Sequence, residues 1–349
     1  MPETAMPGGT QGPMLLAVER LSLRLPATPA PARVLRDVSL QLRPAEVLGV
    51  VGESGSGKSM TALALMDLLE PGAQVQAARM DFAGADLLRM PARDRAGLRG
   101  GAMAMIFQEP MSSLNPAFTV GWQLDECLRL HGGGDRRERR ARALELLRQV
   151  GIAAPEQRLR AWPHQLSGGM CQRVMMAMAL AGNPRLLIAD EPTTALDVTI
   201  QAQIVQLLLE LQAHRGMGLL FISHDLALVA QCAHRVSVLY AGEVVESGGA
   251  AQVLGTPRHP YTEALLGALP ERCGGARRLR ALPGLVPAAA AELPGCRLAP
   301  RCPRARRFCH AHAPALGGDA QQPARCFFPL HGTPAPVLAD AGAGAMRPS

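Results

Sequence analysis

Two early runs, Leu21-Ser22-Leu23-Arg24-Leu25 and Val38-Ser39-Leu40-Gln41-Leu42, alternate apolar and polar side chains with period two. That pattern belongs to half-buried strands, and the Pro/Ala-rich stretch between the runs predicts an antiparallel pair joined by a loop. Further on, the texture changes to short unbroken apolar runs: Val47 to Val51, Met103 to Phe107, Leu186 to Ala189 and Gly218 to Ser223. Such runs fit strands covered on both faces. Helix-forming stretches separate them, from Thr61 to Leu69, across 120–160 and from Cys171 to Leu180. The spacing of Ala143, Leu144, Leu147 and Val150 suits one helix face. Tyr240 to Glu246 reads as a hairpin closing this part of the chain. Buried strands alternating with helices predict the α/β class.

The residues at the ends of these apolar runs carry the chemistry. Gly52-Glu53-Ser54-Gly55-Ser56-Gly57-Lys58-Ser59 follows the first buried strand and opens a helix, which is the context of a phosphate-binding loop. Its glycines let the backbone wrap closely around an anion, with N–H groups and the helix N-terminus aimed inward. Lys58 would reach the β- and γ-phosphates, and the Ser59 hydroxyl would hold Mg²⁺. The chain has 36 lysines plus arginines, and Lys58 is the single lysine among them. A drift from Lys to Arg spares this position because the loop has room for a compact ammonium, not for a planar guanidinium. The loop therefore predicts binding of a nucleoside triphosphate. Gln108, at a strand end, is a candidate contact to Mg²⁺ or to the attacking water. Ser167-Gly168-Gly169 precedes a helix and forms a second N-terminus suited to an anion. Asp190 and Glu191 stand at the tip of the third buried run, Asp190 for the Mg²⁺ shell and Glu191 to polarise water. A capping acid pair beside Pro192 is the lesser alternative, and the phosphate loop upstream all but removes it. His224 ends the last strand, where it would bond the γ-phosphate and the water.

Composition narrows the setting. At 349 residues with 48% apolar content, the chain is long enough for two domains and a sizeable core. The longest apolar runs fall short of the roughly eighteen residues a bilayer span needs. The first residues lack a basic segment followed by an apolar core, so a cytosolic protein is expected, with any membrane role supplied by a partner. The net charge of +7 raises nucleic acid as a partner. However, the arginines gather at Arg136–Arg142, Arg272–Arg280 and Arg297–Arg307, and only two Trp and two Tyr are available to stack bases. A solvated arginine-rich surface is the expectation. Residues 1–13, rich in Pro, Gly and Thr, read as a loose N-terminus.

Taken in order, Gly52–Ser59, Gln108, Leu166-Ser167-Gly168-Gly169, Asp190-Glu191, Leu196-Asp197 and His224 resemble the Walker A, Q-loop, signature, Walker B, D-loop and H-loop of ATP-binding-cassette (ABC) ATPases. The resemblance covers about residues 15–250. Phe107 to Pro116, Pro163-His164-Gln165, Asp190 to Asp197 and His259-Pro260-Tyr261-Thr262 are similar to the dipeptide/oligopeptide (peptide/nickel-type) importer branch. This implies a mixed central sheet, an N-terminal antiparallel β subdomain and a helical signature subdomain at about 110–180. All lie within a nucleotide-binding domain of residues 14–255, followed by a small Cys-rich extension over 256–330 and a disordered tail over 331–349. It further implies that Gly52, Ser54, Gly55, Ser56, Gly57, Lys58, Ser59 and Met60 bind ATP, and that Ser59, Gln108 and Asp190 surround Mg²⁺. Glu191, His224 and Gln108 would serve catalysis. Ser167, Gly168, Gly169 and Gln172 would act in trans across a head-to-tail dimer, beside the D-loop residue Asp197. The implied partners are two membrane permease subunits, a second cassette ATPase (a heterodimer being favoured) and, indirectly, an extracytoplasmic solute-binding protein, with no nucleic acid. The implied place is the cytoplasmic face of the inner membrane, peripherally. Two positions depart from the pattern. Leu23 and Leu25 stand where an aromatic usually stacks on adenine, and Met170-Cys171 follows the signature, with Cys171 expected to soften the trans contact.

Eight cysteines in a cytosolic chain favour thiols or metal ligands over disulfides. Cys296, Cys302, Cys309 and Cys326 fall within 31 residues, with five, six and sixteen residues between them. They are candidates for a [4Fe–4S] cluster, with Zn²⁺ and free thiols as open alternatives. Resemblance to peptide importers favours the cluster. Cys127, Cys171, Cys232 and Cys273 are scattered and read as plain thiols. A competing function is a soluble ABC ATPase acting on nucleic acid or the ribosome. Such proteins usually carry two cassettes or a long coiled-coil insert, and neither is present here.

Overall fold

The computed structural model describes residues 13–27, 31–109, 113–194, 196–269, 282–289 and 291–338. The alternating runs form β1 (Leu16–Leu25) and β2 (Ala32–Leu42), antiparallel, with Leu16 opposite Leu42 and Leu25 opposite Ala32. The first unbroken run is β3 (Val47–Val51). Three short strands went unpredicted: β4 (Gln74–Gln76), β5 (Arg79–Phe82) and β6 (Ala85–Asp86). They complete a small sheet of order β2-β1-β5-β6, with β4 also on β1. Each is too short to show a period.

The second sheet is the frame of the site. Its order is β11 (Glu243–Gly249), β10 (Arg235–Tyr240), β3, β9 (Gly218–Ser223), β8 (Leu186–Asp190) and β7 (Met103–Ile106). Pairings from β10 to β7 are parallel and β11 is antiparallel, so the sheet is mixed as expected. Successive residues of a strand serve opposite cores. In β9, Leu219 and Phe221 face the helices, while Leu220 and Ile222 face the small sheet. Each such side chain removed from water contributes about 1.5–3 kcal/mol, which explains why β3, β7, β8 and β9 carry no polar side chain before their ends.

Helix α1 (Lys58–Met66) begins earlier and stops sooner than the predicted Thr61–Leu69, because Asp67 turns left-handed (φ 55°) and ends it. After α2 (Ala92–Leu98), the helical subdomain comprises α3 (Val120–His131), α4 (Arg136–Gln149), α5 (Pro155–Arg158) and α6 (Gly168–Ala179). Asp135 and Glu138 form a reciprocal cap at the start of α4. Its buried stripe is Ala143, Leu146 and Leu147, continued by Val150, whereas Leu144 is only partly covered. Helix α7 (Val198–Arg215) carries apolar residues on several sides and so showed no stripe; α8 (Leu226–Cys232) follows β9. No helix among the described residues is long and apolar enough to cross a membrane.

Beyond α9 (Ala250–Gly255) and α10 (Pro260–Gly267), the extension has little regular structure apart from α11 (Arg307–Ala311). Its backbone carbonyls still need donors, and buried arginines supply them. Arg258 donates to the carbonyls of Gln322, His331 and Thr333, and Arg325 to those of Val244 and Pro314. Arg297 reaches Ala288 and Ala291, and Arg301 reaches Pro283. The expected solvated arginine surface is therefore corrected for Arg297 and Arg301, which are buried. A five-donor fork serves several scattered carbonyls at once. Within the expected disordered tail, the described residues 331–338 are tied down: Ala335 N–H donates to Cys326, Leu338 N–H to Ala313, and Val337 bridges Pro314. The loose N-terminus over 1–12, Pro110–Ser112, Ala195, Arg272–Arg280 with Cys273, and residues 339–349 lie outside the described residues.

Candidate functional site

The phosphate loop joins β3 to α1, and its shape needs glycine at two points. A Cβ on Gly52 would collide with the Leu239 carbonyl of β10; one on Gly57, at φ 103°, would stand 2.6 Å from Leu35. Ser54 and Gly55 are exposed at the tip, Ser56 is buried and Met60 half-buried in the first helical turn. Lys58 Nζ donates to the carbonyls of Gly52 (2.8 Å) and Glu53 (3.1 Å) and lies 3.8 Å from Glu191 Oε1. Burial pulls its ammonium below the ordinary lysine value, opposed by the charges of Glu191 and Asp190. Ser59 Oγ donates to Asp190 Oδ1 at 3.0 Å. Burial pushes the Asp190 carboxyl above the usual carboxylate range, while that hydrogen bond holds it down. Ser56 Oγ is buried with no hydrogen-bond partner. A buried hydroxyl without a partner just ahead of a helix N-terminus fits an anion. Ser59 and Asp190 in contact fit the oxygen ligands of Mg²⁺.

At the tip of β8, one carboxylate oxygen gathers three side chains. Glu191 Oε2 stands 3.1 Å from Gln108 Nε2, 3.0 Å from Thr194 Oγ1 and 3.1 Å from His224 Nδ1. Glu191 adopts φ 47° and donates its N–H to the Ile222 carbonyl of β9. A non-glycine residue held left-handed at a strand tip is strain kept by the surrounding sheet. Gln108 and His224 thus join Lys58, Ser59, Asp190 and Glu191 in one place, although the chain separates them widely. Thr194 was missed as a site residue, since a threonine after Asp-Glu-Pro-Thr carries no signal of its own.

The signature residues are not brought to this place. Ser167 caps α6, accepting from Met170 N at 3.3 Å, and it and Gly168 are exposed. Gln172 is corrected: its side chain is buried in its own chain and is not offered outward. The softening by Cys171 is corrected as well, because its thiol is buried against the Pro163 carbonyl. Asp197 caps α7, accepting from Ile200 N at 3.0 Å. Leu23 lies in the core under the small sheet, so it offers no surface to a base.

Cys296, Cys302, Cys309 and Cys326 line one cavity of about 20 Å³, together with His259 and Phe327. Burial pushes up the thiols of Cys302, of Cys296 (to about 12) and of Cys326 (to about 11). The four share a cavity but are not drawn into a ligand set: among the described residues, no group of three or more His, Cys, Asp or Glu is placed to hold a metal ion.

Comparison with known proteins agrees with this geometry. Residues 35–194 match the family described as ABC transporter, and 245–309 match the oligopeptide/dipeptide transporter C-terminal region. The chain is 52% identical to the dipeptide transport ATP-binding protein DppD of Escherichia coli (strain K12), over 93% of this chain and 99% of that one. It is 50% identical to DppD of Haemophilus influenzae, over 93% and 98%. Among solved structures, the dimeric ABC transporter cassette MJ0796 aligns with a TM-score of 0.60 at 28% identity, covering 67% of this chain and 98% of that one. The cassette cbiO1 of Clostridium perfringens, part of the ABC transporter complex cbiONQ, gives 0.60 at 26%, covering 70% and 91%. With a phosphate loop, paired acids and a strand-end histidine in one site, and relatives this similar over nearly their whole length, this chain belongs to the ABC transporter ATP-binding proteins that carry the oligopeptide/dipeptide transporter C-terminal region.

Proposed function

We propose that this chain hydrolyses ATP to energise an importer of dipeptides, oligopeptides or a related small solute, as a peripheral subunit on the cytoplasmic face of the inner membrane. The observation that carries the chemistry is the convergence on Glu191 Oε2 beside Lys58 and the Ser59–Asp190 pair. In this reading the loop residues Gly52 to Met60 cradle the triphosphate, and Lys58 lends its ammonium to the β- and γ-phosphates. Ser59, Gln108 and Asp190 would hold Mg²⁺, which would supply positive charge against the triphosphate. Glu191 orients and polarises the attacking water, while Gln108 and His224, bonded to the same oxygen, set its position. The exposed N-terminus of α6 supports a head-to-tail pairing in which Ser167, Gly168 and Gly169 meet the partner's γ-phosphate, with Asp197 alongside. ATP then supplies differential binding free energy between open and closed dimers, which the permease converts into access on either side.

The partners proposed are two permease subunits, a second cassette ATPase in a heterodimer and an extracytoplasmic solute-binding protein. Phe107 and Trp122 are exposed, and Trp122 stacks on Phe118 at 3.8 Å. These aromatics flank the stretch after Gln108 and support it as the permease dock. Cys296, Cys302, Cys309 and Cys326 are kept as candidates for a [4Fe–4S] cluster, with Zn²⁺ as the alternative; their sharing one cavity supports this, and their not being drawn into a ligand set stands against it. No step of the ATP cycle runs through it. Anaerobic purification should yield a brown protein containing iron and sulfide, and a colourless, iron-free product overturns that assignment. For the main reading, a tagged copy purified from native membranes in mild detergent should bring two multi-span permeases and a second cassette. Ribosomal proteins or nucleic acid without a permease overturn it.

A further inference from the structure

The outer side of the phosphate loop is held by the extension, and the hold converges on Glu53. Its backbone N–H donates to Tyr261 Oη at 2.8 Å. Its carboxylate accepts Arg301 Nη1 at 3.1 and 3.3 Å. Its carbonyl accepts Lys58 Nζ at 3.1 Å. The loop is thus gripped from inside by its lysine and from outside by two residues that none of the roles above employs.

Both outer residues are fixed before they reach the loop. Tyr261 is buried, packs on the Tyr240 ring at a centroid distance of 4.6 Å, and its N–H donates to His259 Nδ1. Arg301 is 7% exposed, donates Nε to the Pro283 carbonyl at 2.9 Å, and has Nη1 3.4 Å from Tyr240 Oη. A guanidinium pre-placed by such bonds loses little freedom on meeting a carboxylate. The turn that presents Arg301 also presents Cys302, since both N–H groups donate to the Leu298 carbonyl at 2.9 Å.

We propose that Tyr261 and Arg301 are positioning residues for the phosphate loop, holding Glu53 so that the loop keeps the shape that accepts a triphosphate. The cassette's affinity for ATP then depends on a module outside the cassette. The inference rests on the ATPase reading above. The physical reason is entropic: a glycine-rich loop loses much conformational freedom when it closes on an anion, and a loop already held loses less. Neither residue touches the reacting atoms. Their loss therefore weakens binding of ground state and transition state alike, raising KM while leaving kcat.

The test uses the full-length chain assembled with its permease, reading displacement of a fluorescent ATP analogue and steady-state hydrolysis. Tyr261→Phe keeps the ring and removes the hydroxyl; Arg301→Gln removes the charge. Each is expected to raise the KM for ATP about three- to tenfold, with kcat within about twofold. Arg301→Lys should recover part of the loss, and Arg301→Gln combined with Glu53→Gln should raise KM no further than Arg301→Gln alone, because both remove one ion pair. A wild type that binds and hydrolyses ATP while both single variants keep its KM, even with a lowered Tm, overturns the inference alone. Additive effects in the double variant overturn it as well. A wild type that binds no ATP overturns the ATPase reading, and the inference with it.

Discussion

Two helices begin with N-termini suited to an anion, and they sit in opposite surroundings. Helix α1 starts at Gly57 without a side-chain cap, and its first residue, Lys58, is enclosed by its own chain next to Asp190 and Glu191. Helix α6 starts at Ser167, whose hydroxyl caps it, and Ser167 and Gly168 face solvent. The dipole is the same at both ends, although the Ser167 hydroxyl takes up one N–H of α6. The company differs. One end already holds the acids and amides for chemistry, while the other has only donors and a glycine surface. The same helix dipole thus serves a reaction site in one case and, in the proposed pairing, half of an interface in the other.

Replacing Glu191 with Gln should break the α1 end most severely. Turnover is expected to fall by about two to four orders of magnitude, the range for loss of a general base, while ATP affinity stays within about threefold. Phosphate release and analogue binding measure the two, and surviving turnover would remove Glu191 from the chemistry. Next in size is Gly169→Asp. Its Cβ would stand 3.1 Å from Ile200, and its charge would oppose a phosphate. Hydrolysis by the assembled transporter should drop about 10- to 100-fold, with ATP binding to the separate chain unchanged. Loss of that binding would erase the distinction between the two helix ends. Thr194→Val removes one of the three bonds on Glu191 Oε2 and should slow turnover about three- to tenfold. A variant at wild-type speed would show that Gln108 and His224 suffice.

The smallest effect is a pH slope on the α1 side. His259 is buried and neutral, its pKa lowered by burial to about 3 from an ordinary 6.5. Between those values the unfolded chain binds a proton that the folded chain refuses, so stability falls as pH drops below about 6.5, by ~1 kcal/mol per unit. His259 Nδ1 accepts from Tyr261 N, so acid should loosen the residue that holds the phosphate loop. Calorimetry between pH 7 and 5 should show this slope in the wild type and a flatter one in His259→Gln. Equal slopes would place the acid sensitivity elsewhere.

Much of the site was legible because its parts are short and contiguous. Gly52 to Ser59 announces itself by spacing alone, and Asp190-Glu191 by ending an apolar run. The strands were legible where burial on one face or both left a period of two or an unbroken run. β4 to β6 were too short, and α7 was apolar on too many sides. Gln172 and Cys171 misled because a residue beside a signature need not face the same way as the signature. The stretch after 330 reads as disordered because Gly, Pro and Ala make up most of it, yet a guanidinium from Arg258 fastens its first residues through the carbonyls of His331 and Thr333.

Residue order alone settled what depends on neighbours along the chain: which runs become strands, where a loop bends around an anion, which hydroxyl caps a helix. Backbone geometry acts over a few residues, so a few residues suffice to read it. Folding settled what depends on convergence. Gln108, Thr194 and His224 meet on one oxygen of Glu191, and Arg301 meets Glu53 across 248 positions. These meetings follow from the packing of whole sheets and of the extension against the cassette, a balance of buried area and satisfied carbonyls that no local stretch contains.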